Sequence, residues 1–233
     1  MALLGTGVLA IWNGIAPGWE ADFVAWHVNE HIPERVGVPG FLRGRRYVAQ
    51  DGHPKYFNFY EAETAEVFAS APYQARLNDP TPWTQRVIAH FTDTSRTVCD
   101  VVATQGIGEG SWIEAVQLET AAPEAFAAFA RGALLPALRA EAGIVAVHLL
   151  RGRPAAGGLT VEARLRGRPD ATAAWILLIE AVGAAPIVAL RAGALAEAAL
   201  RQAGAANVTR GTYALQFALS RAELDRAGTP AAG

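Results

Sequence analysis

Residues 26–36 read WHVNEHIPERV, so His27, Glu30 and His31 fall within five positions and Pro33 follows two residues later. On a helix, His27 and His31 lie one turn apart, with Glu30 and Glu34 at neighbouring positions. Two imidazoles at that spacing offer three roles. They can chelate a metal ion, with a carboxylate completing the set. One can move protons as a general acid/base, because histidine titrates near neutrality. Or both can simply finish a helix whose C-terminal dipole favours them. Phe23 and Val24 share the histidines' flank and Trp19 and Trp26 sit beside it, so the rings border an apolar stripe. They are expected to be at least partly buried, with shifted pKa values.

As letters, H-x-x-E-H is also the signature of inverted zinc peptidases. Glu109 stands at about the right downstream distance for a third ligand, but in the Gly-rich QGIGEGS rather than on a helix, and Pro33 ends the first helix early. A peptidase site is therefore disfavoured, and no metal ligand is assigned. Cys99 is the single cysteine, which excludes an internal disulfide framework and a thiolate zinc cluster. There is no C-x-x-C-H for covalent haem, while non-covalent haem or a divalent metal on His27 or His31 stays open. GTGVLA and GIGEG lack the strand and helix that flank a dinucleotide loop, and neither a P-loop nor a G-x-S-x-G elbow occurs.

The elements that must hold these residues come from a chain of 233 residues, 52% hydrophobic and 18% charged, with a net charge of −2. That is one large domain or two small ones with ample core. No basic run is present, so nucleic acid is not an expected partner. The apolar start, MALLGTGVLAIWNGI, lacks a basic n-region and is too short to span a bilayer. It reads as a buried first strand, and a cytoplasmic protein with no membrane partner is expected. Cys99 reads as a small core residue, His53 as a turn residue in DGHP and His90 as a helix end.

Periodicity gives one order of elements twice, β-α-β-β-α-β. Residues 1–104 hold the first copy, 105–111 a Gly-rich join and 112–226 a second, degenerate copy. Each copy is a ferredoxin-like unit, an antiparallel sheet with helices on one face. VLAIW is apolar on both faces, so the bare sheet faces must be buried against each other. The predicted fold class is α+β: two tandem ferredoxin-like repeats packed sheet to sheet into a single-chain α+β barrel. Placing Pro33 on Pro136 also places Gly40 on Gly143 and Trp26 on Phe129, and sets His27 and His31 against Ala130 and Leu134. A rival alignment matches LRGR at 42–45 with LRGR at 150–153. Under either, only the first copy carries the histidine cluster.

The stretch DFVAWHVNEHIPERVGVPGFLRGRRYV, residues 22–48, resembles the EthD-like pattern of the dimeric α+β barrel superfamily. There an aromatic-rich first helix runs into a histidine, a proline, then a Pro-Gly before the second strand; the matching residues are Phe23, Trp26, His31, Pro33, Pro39 and Gly40. The resemblance implies a pocket between the sheets or at the barrel mouth. It implies cofactor-free cyclases, isomerases, monooxygenases and dehydratases, or haem enzymes. One face of FLRGRRYVAQ carries Arg43, Arg45 and Tyr47, and one face of KYFNFYEAE carries Tyr56, Asn58 and Tyr60; Asn13 ends the first strand. If these faces turn into the barrel, His31 is the general acid/base with His27 second. Tyr60 then donates a hydrogen bond, and Arg43, Arg45, Tyr47, Tyr56, Asn58 and Asn13 bind substrate. Arg45 and Arg46 are adjacent and point to opposite faces of a strand, so at least one is expected to be solvated or paired with a surface acid. The expected function is cofactor-independent acid–base chemistry on a small aromatic or carbonyl-bearing metabolite, of lyase, isomerase or cyclase type. The protein is a possible homo-oligomer. Haem or metal catalysis on the same histidines, and a non-catalytic binding or stress-response module, are the alternatives.

Overall fold

The computed structural model describes residues 2–154, 160–167 and 170–228. These form eight strands: β1 (Gly7–Ile15), β2 (Phe41–Asp51), β3 (Tyr56–Ala62), β4 (Phe91–Gly106), β5 (Trp112–Glu119), β6 (Ile144–Gly152), β7 (Trp175–Ala181) and β8 (Ala206–Ser220). Around them lie helices α1 (Glu20–Trp26), α2 (Ile32–Gly37), α3 (Ala71–Asn78), α4 (Pro82–Ile88), α5 (Pro123–Phe129) and α6 (Leu135–Ala140). Four more follow: α7 (Val161–Leu165), α8 (Ala184–Ala192), α9 (Glu197–Gln202) and α10 (Arg221–Arg226).

The strands close a barrel in the order β1-β3-β2-β8-β5-β7-β6-β4, every neighbour antiparallel. Two ferredoxin-like sheets, β4-β1-β3-β2 and β8-β5-β7-β6, meet edge to edge through β2–β8 and β4–β6. Closure removes every unpaired edge, and it buries the inner face that each sheet alone would expose. Val8, Ala10, Trp12, Phe57, Phe59 and Tyr47 from one sheet pack there against Ile113, Ile176, Leu178 and Tyr213 from the other. β3 and β7 are buried at every position, since helices cover their outer face.

Duplication is visible in the backbone. A π-helical turn, His27–His31, joins α1 to α2, and a second one, Ala130–Leu134, joins α5 to α6. In each, the N–H five residues on closes the turn: Ile32 onto the His27 carbonyl and Leu135 onto that of Ala130. Pro33 and Pro136 explain why. An interior proline has no N–H and its ring crowds the carbonyl four residues back, a conflict that a wider turn relieves. Gly40 and Gly143 then turn the chain at φ of +88° and +83° into β2 and β6. So the proline-based alignment holds, and the LRGR match does not: one copy begins β2 and the other ends β6.

Two expected helices are divided. The stretch after Thr64 is a 3-10 turn, Ala65–Ala69, followed by α3 and α4, with Pro72 and Pro82 in their first turns, where a missing N–H costs nothing. The last long helix breaks at Gly193 into α8 and α9. α7, between β6 and β7, was not anticipated from the sequence.

Candidate active site

Strand alternation separates the residues expected to share a pocket. Residues paired across antiparallel strands point to the same face. Arg45 pairs with Phe59, and Gly44 with Tyr60. Arg43, Arg45 and Tyr47 therefore enter the barrel, while Tyr56, Asn58, Tyr60 and Asn13 face the helices, where His27 and His31 lie. Among the described residues, the barrel interior between the sheets is filled by aromatic and aliphatic side chains around a few buried charges.

Arg43 and Arg45 instead belong to a buried ionic network. Arg45 bridges Glu61 and Glu180, each at 3.0 Å, and Arg43 pairs with Glu61 at 2.7 Å and with Glu109. His148 Nε2 lies 3.1 Å from Glu180 and its Nδ1 2.7 Å from Thr104 Oγ1. Burial alone would raise the Glu180 carboxyl, but Arg45, His148 and the Gly110 N–H outweigh it and hold it at about 2. Neither Arg45 nor Arg46 is solvated, although Arg45 lies 3.9 Å from the exposed Glu109; Arg46 is buried on the helix side, its Nε donating to Gln216 at 2.9 Å. On that side, Asn58 Nδ2 donates to Asn13 Oδ1 at 2.7 Å and Tyr56 Oη to Glu20 at 2.7 Å. These contacts occupy three of the expected substrate-binding groups with structural partners.

The histidines meet an aromatic wall. The His27 ring stacks on Phe23 (centroids 5.1 Å apart, 20° between planes), and His31 lies 4.2 Å from Trp26. The two imidazoles are 5.4 Å apart and nearly parallel. Both are buried, and burial pushes both pKa values well below the usual histidine range. Nearby Arg46 and Arg35 add to this at His27, and Arg35 and His27 at His31. Both rings are thus neutral at neutral pH. Tyr60 Oη is 3.4 Å from His27 Nε2, and burial raises its pKa, so it keeps its proton. Nδ1 of each histidine is buried without a partner.

Beside His31 the cavity is lined by three arginines, Arg35, Arg96 and Arg166, and one carboxylate, Glu162. Arg35, on α2, is paired with Glu162 of α7 and with Glu34. Arg96, on β4, donates to Tyr73 Oη at 3.0 Å, and Arg166 pairs with Asp170 at 2.7 Å. The cavity has a volume of about 40 Å³ and touches Trp26, His31, Arg35, Tyr60, Thr94 and Arg96. The buried Thr94 hydroxyl has no partner. Arg35, one turn beyond His31, was legible as a helix neighbour. Glu162 was not, since it comes from 127 residues away. In the second half the corresponding space is filled by Leu134, Leu138, Val147, Leu149, Leu177 and Ile179.

Among the described residues, no three His, Cys, Asp or Glu side chains converge on one point that could hold a metal ion. Glu109, the only downstream ligand the sequence offered, pairs with Arg43 and Arg45 on the opposite face of the sheet from the histidines. A haem does not fit either. The space beside His31 holds about one water, and its walls are the buried rings of Trp26, Phe41, Tyr60 and Tyr73.

The sequence matches no family model and no curated protein. Solved structures do match it along nearly its full length. An anthrone oxidase-like protein superposes with a TM-score of 0.64 at 17% identity, covering 94% of each chain. A provisionally assigned monooxygenase from Fusobacterium nucleatum gives 0.59 at 11% identity, covering 94% of this chain and 96% of its own. A mutant chlorite dismutase from Candidatus Nitrospira defluvii gives 0.52 at 12% identity, covering 90% and 92%. At these identities the likeness speaks for the fold, and the eight-stranded barrel made of two ferredoxin-like sheets agrees: this chain has the dimeric α+β barrel fold, with both halves in one polypeptide.

Proposed function

We propose that the helix-side cavity of the first half is the active site of an enzyme that removes a proton from a small aromatic or carbonyl-bearing metabolite without a cofactor. The observation that carries this is a neutral, buried His31 imidazole held against Trp26 at a cavity also lined by Arg35 and Arg96, with Glu162 paired to Arg35. A neutral imidazole accepts a proton, and the guanidinium groups stabilise the enolate or phenolate left behind. Trp26 offers its face to a flat ring. Tyr60 and His27 act as a pair beside the base, the hydroxyl positioning the second imidazole. Returning the proton at another carbon gives an isomerase, and expelling a leaving group gives a lyase.

A second outcome of the same first step is favoured by the likeness to an anthrone oxidase-like protein and a monooxygenase: the substrate anion passes its electrons to dioxygen. In either case the substrate must gain room. A benzene ring occupies a cavity of about 150 Å³, and the cavity here is about 40 Å³. α7 is the wall we infer to yield: it is a single five-residue turn of helix, and its described contacts with the first half include the Arg35–Glu162 pair, Leu165 and the Val161 N–H bond to Asn78.

Exchange of acidic C–H protons for deuterium, followed by NMR on a panel of phenolic ketones and 1,3-dicarbonyls, tests the reading. Exchange catalysed by the native protein is expected to fall about 10²- to 10⁴-fold in His31→Gln. Unchanged exchange in a folded His31→Gln protein would refute it. A Soret band that disappears in that variant would replace it with haem chemistry.

A further inference from the structure

The helix layer of the second half follows the plan of the first but is left open. In the first half α4 is fastened to α1 by indoles. Trp83 Nε1 donates to Asp22 at 3.0 Å, Trp26 Nε1 to Thr84 Oγ1 at 3.1 Å, and Trp19 stacks on His90 with centroids 3.6 Å apart. The π-turns and their prolines fix the correspondence at 103 positions. By it, Trp19, Asp22 and Glu30 become Ala122, Ala125 and Ala133, and Trp26 becomes Phe129. α9 precedes β8 as α4 precedes β4, and the strand register, which sets Gly211 opposite Ala115 as Ser95 is opposite Trp12, brings Ala199 to the Trp83 position. The polar bolts and the indoles of that joint are gone, and a groove of about 680 Å³ lies between α5 and α9.

We infer that this groove is a second binding site, for an uncharged flat aromatic molecule of about two fused rings. Its volume lies within the roughly 300–1,000 Å³ of small-molecule clefts. Its shape follows from the other half, where indole rings close the equivalent joint. Its charge preference follows from the lining: none of the described side chains around it is ionisable, so a charged ligand would lose hydration and find no partner. Phe129, 43% exposed, offers a ring face for stacking. Thr120 Oγ1 accepts from the Ala122 N–H at 3.2 Å and keeps its own O–H to donate to a ligand oxygen or nitrogen, with Gln202 beside it. The His31 cavity belongs to the other half and takes no part.

Titration with N-phenyl-1-naphthylamine, a neutral fluorescent aromatic, tests the site. Saturable binding at one site is expected, weakened at least tenfold by Ala199→Trp, which puts back the ring that fills the first-half joint. Ala133→Glu, at an exposed helix position, is expected to weaken it as well, and it serves if the tryptophan variant does not fold. His31→Gln is expected to leave binding unchanged, which separates this site from the proposed active site. Native-like affinity in both groove variants would overturn the inference, as would loss of binding in His31→Gln. A concentration-dependent dimer that Ala199→Trp abolishes, with no probe bound, would overturn it too and make a second copy of the chain the occupant.

Discussion

His27 and His31 are neutral in the folded protein because burial outweighs everything else around them, and that neutrality has a thermodynamic signature. In the unfolded chain both titrate near pH 6.5. The folded values lie well below this. Between the two, the unfolded state binds more protons, so stability is full above about pH 6.5 and falls as the pH drops below it. Each histidine sets a slope of at most about 1.4 kcal/mol per pH unit. Urea titrations from pH 7.5 to 5 are expected to show this decline, and His31→Gln to remove about half of the slope. A slope unchanged in the variant would mean that other groups govern it. Tyr60→Phe removes the hydroxyl 3.4 Å from His27 Nε2. It is expected to lower kcat for a turned-over substrate by less than tenfold while leaving KM near native.

Among the elements, α7 joins the second half to the first-half site. Glu162 is buried against Arg35, and Leu165 packs among Phe23, Trp26 and Ile88. Glu162→Gln leaves Arg35 with Glu34 at 3.4 Å as its remaining acid. Removing one partner of a buried ion pair costs about 3–5 kcal/mol, and the second acid places this site near the lower end. Urea unfolding checks the loss, and faster acrylamide quenching of tryptophan fluorescence is expected as α7 opens over Trp26. The π-turn needs no functional explanation. It recurs at Ala130–Leu134, where Ala130 and Leu134 stand in place of the two histidines, and a proline follows it both times. Function uses a turn that the prolines impose.

At the scale of the whole molecule, the buried network joins the halves. Arg45 comes from β2, Glu61 from β3, and Glu180 and His148 from β7 and β6. Glu61 and Glu180 hold matching positions, pairing with Arg43 on β2 and Ala146 on β6. Glu180→Gln removes a carboxylate from the network and is expected to cost about 3–5 kcal/mol in urea unfolding. The native Glu180 carboxyl, held at about 2, contributes stability that is present above about pH 4.5 and lost as the pH falls toward 2. The unfolding free energy from urea titrations is therefore expected to fall with pH in two steps, one beginning below about pH 6.5 from the histidines and a second below about 4.5 from Glu180. Glu180→Gln should diminish only the second.

The duplication, the order of elements and the half that carries polar groups were legible in the sequence, because they rest on local signals: period-2 and period-3.6 runs, Pro33 and Pro136, Gly40 and Gly143. The burial of His27 and His31 was legible for the same reason, from the aromatic residues one and two turns before them. What the sequence could not supply was which sheet face meets which cavity. Alternation places Arg45 and Tyr60 on opposite faces only once β2 and β3 are in register, and register is a tertiary quantity. The partner of Arg35 was equally hidden. Glu162 arrives from the other half through an unforeseen helix, and no local pattern records a contact across 127 residues. Local chemistry was written in the chain; Glu162, which pairs with Arg35, and Arg166 reach the His31 cavity only because the fold brings α7 over the first half.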